Sequence, residues 1–101
     1  MDGERNATVY LMISTYTAPL DEVDKAREDH MQFLSGLEER GLLVSAGRQD
    51  PPIGGVVLIN ADSAELAREL MAGDPYVLRG LATYELTGWT PTRGALSTWT
   101  P

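Results

Sequence analysis

One histidine stands in this 101-residue sequence, and His30 is the side chain best suited to moving a proton near neutral pH. Val23, Ala26, His30, Phe33 and Leu37 recur at steps of three and four. That spacing predicts one face of an α-helix running from Asp24 to Arg40, with Met31 and Leu34 widening the apolar side. His30 therefore points at the core, where an imidazole is either satisfied by a partner or used in general acid–base chemistry. The spacing alone leaves both readings open. Arg48 follows Gly47 at a strand end, where a guanidinium can hold a carboxylate or a phenolate, or serve only as a solubilising charge. Tyr76 and Arg79 follow an Asp-Pro corner and can line a pocket. Tyr76 can equally sit in the core with its hydroxyl in water. Ser14, Tyr16 and Ser45 lie on strands and can face a space between sheet and helices.

Composition narrows the chemistry. The chain is one domain by length, and its own core is modest. It has no cysteine, which removes disulfides and thiolate ligands and fits a cytoplasmic location. A single histidine without cysteine argues against zinc. Asp21, Glu22 and Asp24 read as a solvated helix start at the positive end of the dipole, in preference to a metal site. A net charge of −7 with scattered Lys and Arg argues against a nucleic-acid partner. No apolar run approaches a membrane span, and the polar start is unlike a signal peptide. Dinucleotide, P-loop, zinc-protease and serine-hydrolase motifs are all missing, so the expectation is a reaction without cofactor or metal.

The elements that must position these residues follow in order. Residues 1–6 are expected to be disordered, 7–90 to fold, and 91–101 to form an irregular tail. Ala7 to Tyr16 alternates as a strand, with Val9, Leu11 and Ile13 on one face. Thr17-Ala18-Pro19 breaks it, and Asp21 is placed to cap the first helix, which Gly41 ends. Leu42 to Ala46 and Val56 to Ile59 are short apolar strands joined by a Pro- and Gly-rich loop. Asp62 with Glu65 suggests a capping box opening a second helix, with Leu66, Leu70 and Met71 on its apolar side. Gly73 stops that helix, Asp74-Pro75-Tyr76 turns a corner, and Ala82 to Trp89 is the last strand, with Ala82, Tyr84 and Leu86 sharing a face. Trp89 and Trp99 read as packing or dimer residues.

Strand, helix, strand, strand, helix, strand is the split βαβ pattern, an α+β ferredoxin-like fold. Right-handed crossovers put both helices on one face of a four-stranded antiparallel sheet. The other face is then bare, with apolar residues from the middle strands and with Tyr10 and Met12. A second copy packing sheet against sheet as a homodimer is the expected cover.

His30, the run Gly41-Leu42-Leu43-Val44-Ser45-Ala46-Gly47, the strand 55–59 and Asp74-Pro75-Tyr76, in that order, resemble the YciI-like (YCII-related) domain family over about Val9 to Trp89. The resemblance implies a dimeric α/β barrel. It also implies that His30 and Asp74 form an acid–base pair, because family members pair a first-helix histidine with the aspartate of the Asp-Pro corner. The family commonly carries Gly-Pro where this chain has Gly47-Arg48, a departure that bears on pocket shape and substrate. A related enzyme is implicated in removing chloride from a hydroxylated aromatic ring. The expectation is thus a lyase- or isomerase-like protein acting on a small aromatic or lactone-like molecule through His30 and Asp74, with Arg48, Tyr76, Ser45 and Tyr16 binding the substrate. The alternatives are a dimer that binds a small molecule in the same pocket without turnover, and a structural dimer with a core histidine.

Overall fold

The computed structural model describes residues 8–98. Strand β1 (Val9–Tyr16) leads through Pro19 into α1 (Leu20–Lys25) and α2 (Arg27–Glu39). The helix expected from Asp24 to Arg40 is therefore two, broken at Ala26. There φ is −96° and ψ 0°, and the Ala26 N–H bonds three residues back to the Val23 carbonyl. Val23 and Ala26 are fully buried against Tyr76 and Ala82, so packing holds the tightened turn in place. Asp21 is not the cap. Pro19 takes that position with no side-chain bond to the helix end, while Asp21 Oδ1 accepts from the Glu22 N–H, 3.0 Å.

The exit from α2 follows the sequence. Gly41 sits at φ +74°, its N–H bonds to the Glu38 carbonyl, and the Leu42 N–H reaches back to that of Leu37. This paired closure satisfies two end carbonyls, and glycine adopts it without strain. The chain then enters β2 (Leu43–Arg48) and β3 (Gly55–Ile59). Helix α3 (Ala64–Met71) is capped by Ser63, whose Oγ accepts from the Leu66 N–H at 3.1 Å, one residue later than the expected Asp62. Ala67 and Met71 are its buried side, whereas Leu66 is 37% exposed, off the apolar face assigned to it. A short α4 (Pro75–Leu78) precedes β4 (Ala82–Trp89). After β4 the described residues form one 3-10 turn, Ala95–Thr98. Trp99 and the expected disordered start, residues 1–6, lie outside the described residues.

The four strands pair antiparallel in the order β2-β3-β1-β4 with the helices on one side, the expected ferredoxin-like arrangement. Alternation along β1 sends Tyr10, Met12, Ser14 and Tyr16 toward the helices and leaves Leu11 and Ile13 on the open face. Tyr10 and Met12 thus do not belong to the bare face; Met12 is 2% exposed in the core with Leu34, Leu37, Val57, Ile59 and Met71. Val56 and Leu58 share the open face with Leu11 and Ile13, since Val57 and Ile59 between them are buried in the core.

The loop between β2 and β3 lies hard against the end of β1. The Tyr16 N–H bonds to the Ile53 carbonyl, 2.8 Å, and Gln49 Nε2 donates to the Ser14 carbonyl, 3.1 Å. A Cβ at Gly54 would fall 1.8 Å from the Ser14 carbonyl oxygen, so only glycine permits this approach.

Candidate active site

Asp74 closes α3 and opens α4. Its backbone N–H completes the last turn of α3 by bonding to the Met71 carbonyl, and its side chain caps α4 by accepting from the Tyr76 N–H at 3.0 Å. Pro75 stands at the first helical position, where a missing N–H costs nothing. A local need for a cap therefore fixes a carboxylate at the one place where it can also face α2. Asp74 is 0% exposed. An isolated buried carboxylate would be prohibitive, and this one is fully engaged. Oδ1 also receives His30 Nδ1 at 2.8 Å, and Oδ2 accepts from the Tyr84 hydroxyl at 2.6 Å.

Those contacts assign the imidazole. Asp74 Oδ1 accepts from Nδ1, so Nδ1 is the donating nitrogen and Nε2 is left clear of the carboxyl group. His30 lines a cavity of about 150 Å³. Among the described residues Nε2 has no protein partner, and no buried side-chain nitrogen or oxygen is left unpaired, so Nε2 is open to the cavity. The arrangement can take a proton on Nε2 and stabilise the resulting imidazolium with a buried carboxylate.

Tyr76 gives the imidazole its plane. The two rings stack with centroids 4.0 Å apart and planes 7° from parallel, and Tyr16 meets Tyr76 edge-on at 6.0 Å. Arg48 Nε donates to the Tyr16 hydroxyl at 3.0 Å, and Nη2 reaches Asp24 Oδ1 at 2.6 Å. Those two bonds, Asp24 first, raise the Arg48 pKa further, so its charge is permanent. Burial raises the Tyr76 phenol against the opposing pull of Arg48 and Arg27. Burial, and then the bond to Asp74, pushes the Tyr84 phenol far above its usual range, so it stays a donor.

Of the residues singled out in the sequence, His30, Asp74, Tyr76, Tyr16 and Arg48 are brought together. Ser45 is not. It pairs with Leu58 across the sheet, is exposed, and is separated from the cavity wall by the pleat that turns its neighbour Ala46 inward. Ser14 does face the cavity, but its hydroxyl is committed to the Gly55 backbone, accepting from N–H at 2.7 Å. Arg79 turns to Asp29 at 2.7 Å. Sequence reasoning missed Tyr84 and Arg27. The alternation of Ala82, Tyr84 and Leu86 carried the signal for Tyr84, which sits opposite Ser14 in the β1–β4 ladder. Among the described residues no group of three or more His, Asp or Glu converges as a metal site would require, and no helix is long and apolar enough to cross a membrane.

The sequence profile of the YCII-related domain matches residues 8–90. Among solved structures, the chain is similar to 5-chloro-2-hydroxyhydroquinone dehydrochlorinase from Burkholderia phenoliruptrix AC1100, in complex with 2,5-dihydroxybenzoquinone. The TM-score is 0.66 at 15% identity, covering 82% of this chain and 93% of that one. At that identity the likeness establishes the fold. A comparison with curated proteins gives no match.

Proposed function

This chain belongs to the YCII-related domain family, and on that footing we propose that it is a small enzyme, lyase- or isomerase-like, that moves a proton on a ring compound without a cofactor. His30 is the general acid–base and Asp74 its orienting partner. The observation that carries this reading is the 2.8 Å contact between His30 Nδ1 and the buried Asp74, with Nε2 open to a cavity. Nε2 takes a proton from an acidic C–H or O–H of the bound molecule, and the imidazolium is held against Asp74. Returning the proton to another atom gives isomerisation; departure of a leaving group from the adjacent carbon gives elimination. The structural neighbour is a dehydrochlorinase of a hydroxylated ring, which favours phenol- or quinone-like substrates for this cavity too. Tyr76, Tyr16 and Arg48 position the substrate.

The test is turnover across phenols, aromatic acids and lactones, followed by His30→Ala and Asp74→Asn. Each variant is expected to lose about 10²–10⁴-fold in rate, the usual worth of a positioned acid–base group. Undiminished turnover in His30→Ala would overturn the assignment. The cavity also suits a second reading, a binding module, and binding without turnover across the whole panel would decide for it.

The proposal extends to assembly and place. The open face bearing Leu11, Ile13, Val56 and Leu58 packs against a second copy, and the dimer works in the cytoplasm. Sedimentation velocity is expected to give twice the 11.0 kDa of the chain, and a monomer at micromolar concentration would refute it.

A further inference from the structure

The cavity lining grades in exposure: the His30 side chain is 12% exposed, that of Arg48 is more so, and Arg27 is exposed, which sets the two arginines toward the mouth. Arg48 is held on its cavity side by the Tyr16 hydroxyl, with Cζ 5.6 Å from that ring's centroid, and its outer edge grips Asp24. The Asp24 side chain is 46% exposed and the Arg48 side chain 24%, so this ion pair lies at the water's edge, where such pairs are weak and exchangeable.

We infer that Arg48 is an anion seat at the cavity mouth, that Asp24 fills it as a placeholder, and that a single-ring carboxylate displaces Asp24 when it binds. The inference rests on reading this cavity as the functional site and on nothing about turnover. Four observations support it. The cavity of about 150 Å³ matches the space that holds one benzene ring in a protein interior. The guanidinium already binds a carboxylate there, so the chemistry of the seat is on display. Arg27 borders the same cavity, and both guanidiniums pull the Tyr76 phenol downward, so two positive fields converge on the opening. The chain as a whole carries −7, so two arginines bordering one cavity run against its overall sign. With the carboxylate on Arg48, the ring of the ligand reaches inward past Tyr16 toward the Tyr76–His30 stack.

The test is titration calorimetry of the full chain with benzoate, and with benzamide as its neutral counterpart. Benzoate is expected to bind about tenfold more tightly than benzamide, as a charge-assisted contact predicts. Asp24→Asn removes the placeholder and is expected to tighten benzoate by about two- to fivefold, the worth of an exposed pair. Arg48→Gln is expected to lose about tenfold for benzoate while benzamide is unmoved. Absent benzoate binding, equal affinity for benzamide, or benzoate affinity unchanged or weakened in Asp24→Asn would each overturn the inference. Asp24 is half exposed, so that variant decides the matter even where Arg48→Gln folds poorly. Benzoate binding is read by heat and turnover by its own assay on other compounds. Loss of the anion seat and loss of the catalytic reading are therefore separate results.

Discussion

Tyr84 donates its phenolic proton to Asp74 Oδ2 across 2.6 Å, on the opposite side of the carboxylate from His30. A sheet residue and a helix residue thus hold one buried charge from two directions, and the corner at Asp74 is fastened to both layers of the fold. Replacing Tyr84 by Phe keeps the ring and leaves Oδ2 without a donor. Urea denaturation of Tyr84→Phe is expected to show a loss of about 1–3 kcal/mol, the cost of an unpaired buried polar group. A loss below about 0.5 kcal/mol would mean that water replaces the hydroxyl.

Tyr84 also sets an alkaline limit. Burial, and secondarily Asp74, raises its folded-state pKa above the ordinary 10.0. The protonated phenol is the form the fold prefers. That stabilisation is fully present below about pH 10 and is lost as pH climbs from there toward the raised folded value, because the unfolded chain releases its proton first. Denaturation midpoints from pH 8 to 11 are expected to fall more steeply in the wild type than in Tyr84→Phe. Parallel curves would sink the prediction.

Position 54 tests the rim. Gly54→Ala forces a methyl group onto the Ser14 carbonyl, which backbone must move to accommodate. A destabilisation of about 1–3 kcal/mol is expected, together with weaker ligand binding, because the loop that shifts is joined to β1 at Tyr16. A thermal melt matching the wild type would show that the loop relaxes freely.

The start of α3 separates two adjacent candidates for its cap. Ser63→Ala is expected to cost about 1 kcal/mol, and Asp62→Ala only a few tenths. Equal losses in chemical denaturation would restore Asp62 to the role.

How far these relationships could be read in the amino-acid order depends on what each element was built from. Periodicity carries the helix–strand order, and Gly41 announces the end of α2 because a left-handed closure there suits glycine alone. The break at Ala26 leaves no such mark: alanine favours a helix, and the tightened turn comes from packing against Tyr76, more than 40 residues away. Strand faces are similar. Val9, Leu11 and Ile13 share a face in the sequence, yet nothing local says which side the helices take, and Tyr10 and Met12, expected on the bare face, line the core instead. His30 stood out as the lone imidazole on an apolar stripe, while its link to Asp74 came from family resemblance. Ser45 misled because the bulge between Leu43 and Ser45 shifts the register of β2, which sequence does not display. For Arg48 the sequence leaves two readings open, because its contacts with Tyr16 and Asp24 join residues 32 and 24 positions away.

The stack of His30 on Tyr76 has a further consequence for anyone observing the protein in solution. The chain contains a single imidazole, so its ring protons give the only such pair in a proton magnetic resonance spectrum, and the tyrosine ring current 4.0 Å away displaces them from the usual window. A ligand that enters the cavity, a proton that settles on Nε2, or a tilt of either ring changes that displacement. The protein carries its own unlabelled reporter at the atom where its chemistry is proposed to occur.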